Sequence, residues 1–212
     1  MPSRPARIAV FASGSGTNLR AIFDYVDGPG AGVAEVALVV SDKPLAGALD
    51  RARARDVPAQ YIHHSDVSTI QALLASLRIE CIALAGYLKF VPGEITRAWR
   101  GRLLNVHPAL LPAFGGPGMY GLRVHTAVIA SGATVSGPTV HFVDEQYDHG
   151  PIIAQSHVPV LAGDTPHSLA ARVLDAEYQL YPRTIVAVAV GTIRLEVDGR
   201  VTNADLCFPL PH

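Results

Sequence analysis

Cysteine is nearly absent from the 212-residue chain: its two cysteines, Cys81 and Cys207, cannot make a disulfide framework, and Cys81 falls in the apolar run IECIALAG, where a buried thiol is expected. Excess charge is missing too. With 17 Lys and Arg against 18 Asp and Glu, the net charge of −1 removes the electrostatic footprint of a nucleic-acid binder. No apolar run approaches the roughly 18 residues of a membrane span. The opening MPSRPA leads directly into a strand pattern, so a soluble, unprocessed, cytoplasmic protein with neither nucleic-acid nor membrane partner is expected. His63-His64 has no second cluster of His, Cys or carboxylate at ligand spacing; the pair reads as exposed loop histidines, and no metal is expected. What the chain has in quantity is apolar residues, 49% of the total, with a mean hydropathy of +0.26. That is ample for one large core, and one domain is expected rather than two.

The densest chemistry lies in residues 101–112, GRLLNVHPALLP. Residues 102–104 read as the last part of a buried strand, and Asn105 and His107, two apart in extended backbone, point to the same side. Pro108 and Pro112 forbid helix or ladder continuation, and Pro108 keeps His107 extended. An amide donor and an imidazole are thereby aimed together from a strand end, a pair suited to stabilising an oxyanion while moving a proton. Taken alone, N-x-H-P also fits a polar strand end before a Pro-rich loop.

Upstream, residues 7–12 (RIAVFA) read as a buried parallel strand, followed by the loop Ser13-Gly14-Ser15-Gly16-Thr17-Asn18. A helical pattern then places Leu19, Ile22, Phe23 and Val26 on one face and closes at Gly28-Pro29-Gly30. Strand, glycine loop and helix N-terminus are the arrangement in which backbone N–H groups hold a phosphate. The loop lacks the lysine of a P-loop, and Leu19 stands where a dinucleotide fingerprint needs its third glycine. A monophosphate is allowed, a dinucleotide is disfavoured, and an ordinary capped βα turn stays open. Further strands are expected at residues 34–40, 60–63 and 80–85, alternating with helices at about 45–55, 69–77 and 92–99. Arg51, Arg53 and Arg55 spread around the first of these helices as a solvated face rather than an anion site. Four successive βα units predict an α/β fold with a doubly wound, mostly parallel central sheet.

Residues 113–121 (AFGGPGMYG) are too rich in glycine for regular structure and are expected to behave as a mobile lid over the strand ends. A short helix at 125–130 follows. Residues 139–143 (TVHFV) alternate like a half-exposed strand presenting His141, and 144–150 (DEQYDHG) form an acidic loop. Another strand is expected at 151–160, a long helix at about 167–190 carries Glu177, and 191–201 reads as a hairpin turning at Asp198-Gly199.

In that order and spacing, SGSGTNL, AGYLKFV, GRLLNVHPALLP, VHFVDEQYDHGPIIAQ and AEYQLYP resemble the phosphoribosylglycinamide formyltransferase family of purine synthesis, which uses 10-formyltetrahydrofolate. The likeness runs from about residue 7 to residue 182. It implies a Rossmann-like formyltransferase fold in a single domain over 1–212, with phosphate binding in about 1–100 and folate binding and catalysis in about 101–212. Asn105, His107 and Asp148 match the family's catalytic trio. Asn105 and His107 would donate to the tetrahedral oxyanion formed when the substrate amine attacks the formyl carbon, and Asp148 would relay a proton through water. Pairing with Asp148 predicts a raised pKa for His107. Gly16, Thr17 and Asn18 would hold the ribose 5-phosphate, and Glu177 would contact the glycinamide substrate. Folate would lie along Leu88, Lys89, Phe90 and Val91, beside Asn105 and the backbone of Asp144, Glu145, Gln146, Tyr147 and Asp148. His141 would support the site. The co-substrate implied is 10-formyltetrahydrofolate without a metal, the partners are small molecules, and the chain would be a monomer or homodimer.

Two departures stand out. HHSDVST lacks the arginine the family often uses for the folate glutamate tail, which leaves Lys89 as a point charge in its place, and the 113–125 segment is longer than the simple family form. Methionyl-tRNA formyltransferase shares the core but adds a tRNA-binding C-terminal domain, too large for residues 183–212. Formyltetrahydrofolate hydrolase shares the trio but carries an N-terminal regulatory domain and lacks this phosphate loop. A non-enzymatic nucleotide- or folate-binding module would not need Asn105, His107 and Asp148 together.

Overall fold

The computed structural model describes residues 4–202, and Cys207 lies outside them. β1 (Ala6–Phe11) is followed by α1 (Thr17–Asp27), β2 (Ala34–Ser41), α2 (Gly47–Arg53), β3 (Ala59–Tyr61), α3 (Val67–Ser76), β4 (Cys81–Leu84), α4 (Gly93–Ala98) and β5 (Leu103–His107). The second half adds α5 (Leu122–Ala130), β6 (Val135–Ser136), β7 (Thr139–Phe142), β8 (Ile152–Gln155), β9 (Val158–Pro159), α6 (Pro166–Ala189), β10 (Arg194–Leu195) and β11 (Val201–Thr202). Seven strands form one sheet in the order β3-β2-β1-β4-β5-β7-β8. The first five pair in parallel, and β7 and β8 join antiparallel. The expected doubly wound, mostly parallel sheet in a single domain is what the chain forms.

Alternate residues of each strand feed two cores, as a pleat with helices on both faces requires. Ile8, Val10, Ala83, Leu104 and Val106 pack with Leu19 and Ile22 of α1, Leu49 of α2 and Tyr181 and Ile185 of α6. Phe11, Ile82, Leu84 and Leu103 pack on the opposite face with Ile70 and Leu74 of α3 and Ile95 of α4. Burying each of the larger side chains contributes about 2 kcal/mol. The fully buried Tyr181 points its hydroxyl at the carbonyls of Leu84 (3.0 Å) and Leu104 (3.1 Å), fastening α6 under the ends of the two strands that carry the site. A Thr165–Ser168 capping box starts α6, and the Asp66 carboxylate, accepting from Thr69 N at 3.1 Å, starts α3.

Three expectations for the second half are corrected. β7 is buried along its whole length: the Thr139 hydroxyl donates to Ala109 O (2.7 Å), inside the turn after β5, so its polar positions meet other segments and not water. The strand expected at 151–160 is two strands, because Ser156 N turns to Pro138 O (3.1 Å) and β9 then pairs with β6 in a separate small sheet. Helix α5 begins at Leu122, one turn earlier than the 125–130 pattern, where Val124 buries against Leu169 and Val173 of α6. The hairpin at 191–201 is present as β10 and β11. Among the described residues no helix is long and apolar enough to cross a membrane.

Candidate active site

The exits of β1 and β4 lie side by side, yet one chain leads to α1 on one face and the other to α4 on the opposite face, which opens a crevice at the carboxyl edge. Gly16 caps α1 at φ 76°, and a Cβ there would lie 2.9 Å from the Ala48 Cα, so the turn needs glycine twice over. With Gly16 O accepting from Arg20 N (3.0 Å), the N–H groups of the first helical turn point out of the helix end. Asn18 sends its amide across to α6, where Nδ2 donates to Glu177 Oε2 at 2.8 Å. Burial of Glu177 pushes its carboxyl up to about 7, and the Asn18 hydrogen bond offsets only part of that. The three arginines of the next helix and its exit are exposed but not idle. Arg53 pairs with Asp50, Arg55 with Asp24 and Asp27, and Arg51 donates to Ser15 O (2.7 Å), which sets it against the glycine loop rather than on a purely solvated face.

On β5, Asn105 and His107 share a side with Leu103, and the antiparallel neighbour β7 sets His141 opposite Asn105. His141 Nδ1 donates to Phe142 O (2.8 Å), leaving Nε2 to accept from Asn105 Nδ2 at 3.2 Å. That contact fixes the amide with its nitrogen toward the site and keeps its second N–H free. Asp148 arrives on the loop after β7, in a left-handed conformation at φ 53°. The loop folds back tightly because a Cβ at Gly150 would sit 1.9 Å from Phe142 O. Asp148 Oδ2 lies 3.4 Å from His107 Nδ1 and accepts from Gly116 N at 2.9 Å, while Oδ1 lies 3.7 Å from His141 Nε2. His107 Nε2 donates to Phe114 O at 2.8 Å.

The expected rise in the His107 pKa is overturned. Burial lowers it, and this outweighs the Asp148 charge and the Phe114 carbonyl, both of which favour the charged ring. The resting imidazole is therefore neutral at neutral pH, protonated on Nε2 toward Phe114, with the Nδ1 lone pair facing Asp148. Burial alone would raise Asp148, but contact with His141, the His107 ring and the Gly116 N–H hold its carboxyl below the usual range.

Two chambers open on this cluster and share Tyr87, Asn105, Tyr147 and Asp148. The smaller, about 60 Å³, is walled by Leu84, Phe90, Val91 and Val143 with Lys89 and Gln146 at its edge. The larger, about 240 Å³, takes in Asn18, His107, Gly116, Tyr120 and Glu177. At the rim of the smaller chamber Phe90 and Tyr147 meet edge to face, 5.1 Å between centroids. Its outer loop is fastened by Asp144, which accepts from Gln146 N and faces His149 Nδ1, each at 2.8 Å, and by an Arg97–Glu145 ion pair.

A family model described as formyl transferase matches residues 6–185. The chain belongs to the formyl transferase family. It is 44% identical over 204 residues to a chloroplastic phosphoribosylglycinamide formyltransferase of Arabidopsis thaliana, covering 92% of this chain and 70% of that one. The crystal structure of phosphoribosylglycinamide formyltransferase from Anaplasma phagocytophilum superposes with a TM-score of 0.83 at 30% identity, over 99% of this chain and 97% of that chain. That of glycinamide ribonucleotide transformylase 1 from Symbiobacterium toebii gives 0.83 at 38% identity, over 94% of both chains.

In this formyl transferase most residues named from sequence converge: Asn105, His107, His141 and Asp148 touch one another, Asn18 touches Glu177, and Lys89, Phe90 and Val91 line the smaller chamber with Asp144, Gln146, Tyr147 and Asp148. Leu88 lines the larger chamber instead, and Gly16, Thr17 and Glu145 line neither. Phe114 and Gly116 went unnoticed in the sequence. They act through main-chain atoms, and only the glycine density of AFGGPG marked the segment.

Proposed function

We propose that this formyl transferase moves the formyl group of 10-formyltetrahydrofolate to the amine of N1-(5-phospho-D-ribosyl)glycinamide, the purine-synthesis activity its relatives are named for. One observation carries the reading: two chambers of different character meet at Asn105 and Asp148. The smaller has apolar walls and a polar side at Asp144, Gln146, Tyr147 and Asp148, which suits a flat heteroaromatic ring with hydrogen-bonding edges. The larger connects the catalytic cluster to Asn18 at the start of α1 and to Glu177, which suits an amine carried on a ribose phosphate. Bound there, 10-formyltetrahydrofolate supplies an activated formyl carbon and a nitrogen leaving group. Lys89, Phe90, Val91, Asn105 and the 144–148 segment would hold it, and Gly16, Thr17, Asn18 and Glu177 would hold the ribonucleotide, with Leu88, expected on the folate side, facing the larger chamber.

The free N–H of Asn105 donates to the oxygen that gains charge as the amine adds, an interaction that strengthens in the transition state. His107 Nδ1 and Asp148 face each other with an open lone pair between them, so this pair takes the amine's proton and delivers it to the leaving nitrogen. Once His107 is protonated, Nδ1–H donates to Asp148. His141 keeps Asn105 turned the right way. A cytoplasmic location belongs to the same reading, as does a set of partners limited to small molecules.

A formyltetrahydrofolate deformylase from Pseudomonas syringae shares the fold, with a TM-score of 0.81 at 20% identity, which is a likeness of fold alone. Formyl loss from 10-formyltetrahydrofolate, followed spectroscopically with and without the ribonucleotide, decides between them: transfer requires the amine, and loss at the same rate in its absence would replace the reading with hydrolysis.

A further inference from the structure

The glycine loop before α1 is gripped from behind by α2. Gly14 O accepts from Ala48 N (3.1 Å), and the next carbonyl, Ser15 O, accepts from Arg51 Nε (2.7 Å). Two consecutive carbonyls of the loop are thereby drawn toward one helix. In a trans peptide the N–H points away from the C=O of the same plane, and Leu111-Pro112 is the only cis bond among the described residues. The N–H groups of Ser15 and Gly16 are therefore turned away from α2. Gly16 is left-handed (φ 76°, ψ 37°) and Thr17 opens the helix, a succession that curves the N–H groups of Gly16, Thr17 and Asn18 around one concavity. None of these N–H groups donates to another group among the described residues. The Arg51 stem packs on the same residue, its Cδ 3.2 Å from where a Cβ of Gly16 would sit. Asp50, beside it in the chain, pairs with Arg53, so the Arg51 charge is directed at the loop.

We infer that Arg51 is a positioning residue for the substrate phosphate: it holds the Ser15–Gly16 peptide from the back, and the Gly16 N–H meets the anion from the front. This deepens the assignment of the phosphate to the Gly16–Asn18 turn and rests on it. A charged donor on Ser15 O also polarises the peptide, which strengthens the N–H on its other side. Without this bond the ribonucleotide KM rises about five-fold, the scale of one net hydrogen bond. The folate KM and kcat, which depend on the smaller chamber and on β5, stay as they were.

Three substitutions separate the donor from the charge. Arg51→Gln places an amide nitrogen where Nε stood and removes the charge, Arg51→Lys keeps the charge and moves the donor one atom outward, and Arg51→Ala removes both. Each is assayed for both KM values, kcat and competitive inhibition by inorganic phosphate, with melting temperature alongside. The expected result is a rise in the ribonucleotide KM and in the phosphate inhibition constant by the same factor in Arg51→Ala and Arg51→Lys, with Arg51→Gln close to the parent. Rescue by Lys and not by Gln would overturn the inference, because the charge would then act on the phosphate directly. Equal rises in both KM values would also sink it, as a disturbance of the whole site. Gly16→Val separates the two levels. If it raises the ribonucleotide KM and Arg51→Ala does not, the positioning role falls; if neither does, the phosphate assignment of the loop falls with it.

Discussion

At the α1 end of the site the groups offered to a ligand are main-chain N–H groups set by a helix start, whereas at the β5 end they are side chains collected from β5, β7 and the loop that carries Asp148. The first kind cannot titrate and is fixed as soon as the helix forms. The second kind depends on burial and on neighbours that oppose one another, which is why His107 and Asp148 are both lowered. In the function proposed above, phosphate binding rests on backbone geometry, and chemistry rests on desolvated side chains.

The sharpest way to break that contrast is Asp148→Asn. Asparagine tolerates the left-handed backbone at φ 53°, so the fold should survive. kcat should drop about 10³-fold, within the range of general acid–base groups, with both KM values within a few-fold of the parent. A change seen only in KM would make the β5 end a binding end like the other. Next comes Glu177, whose carboxyl is raised from 4.5 to about 7. The folded chain keeps this proton after the unfolded chain has lost it, so stability falls as pH rises from 4.5 to 7, by about 3 kcal/mol in all. Glu177→Gln should therefore melt higher than the parent above pH 7, match it below 4.5, and bind the ribonucleotide less tightly. Equal melting curves at all pH values would mean that Glu177 carries no such burden.

Gly16→Val tests the backbone end. The added side chain meets Ala48 at a residue with φ 76°, and the anion loses access to the first-turn N–H groups. The ribonucleotide KM should rise about a hundred-fold, as expected for one or two charge-assisted hydrogen bonds, with the folate KM nearly unchanged. The smallest effect is in pH dependence. A lowered His107 pKa means that folding favours the neutral ring, so stability should decline as pH falls below the ordinary 6.5, while kcat holds until pH falls below the depressed value of the folded ring and then drops by about ten-fold per unit. That acid limb should be missing from His107→Asn. An alkaline limb abolished by the same substitution would show instead that His107 works as the imidazolium.

Much of this was legible in the chain. Continuous apolar runs marked the parallel strands because both of their faces are covered, and the two-residue spacing of Asn105 and His107 put them on one side of β5. Alternation failed at β7 for a physical reason: it reports which side chains are polar, not what they meet, and Thr139 and His141 meet Ala109 and Asn105 instead of water. The direction of the His107 shift was misread in the same way, since the carboxylate of Asp148 is visible in the sequence and the depth of burial is not. Arg51 read as solvated because nothing in its helix shows that Ser15 will lie beside it.

The strand to which the proposed chemistry is assigned is also the seam of the sheet: β5 pairs in parallel with β4 through Leu84↔Asn105 and antiparallel with β7 through Asn105↔His141. Its register is thus locked from both edges by unlike ladders. An inserted or deleted residue within β5 would do what no single substitution can. Placed before Asn105, it would exchange the roles of neighbours, turning Asn105 and His107 toward the core of Tyr181 and Val140 and bringing Leu104 out of it. Length, more than residue identity, is what this five-residue strand cannot change.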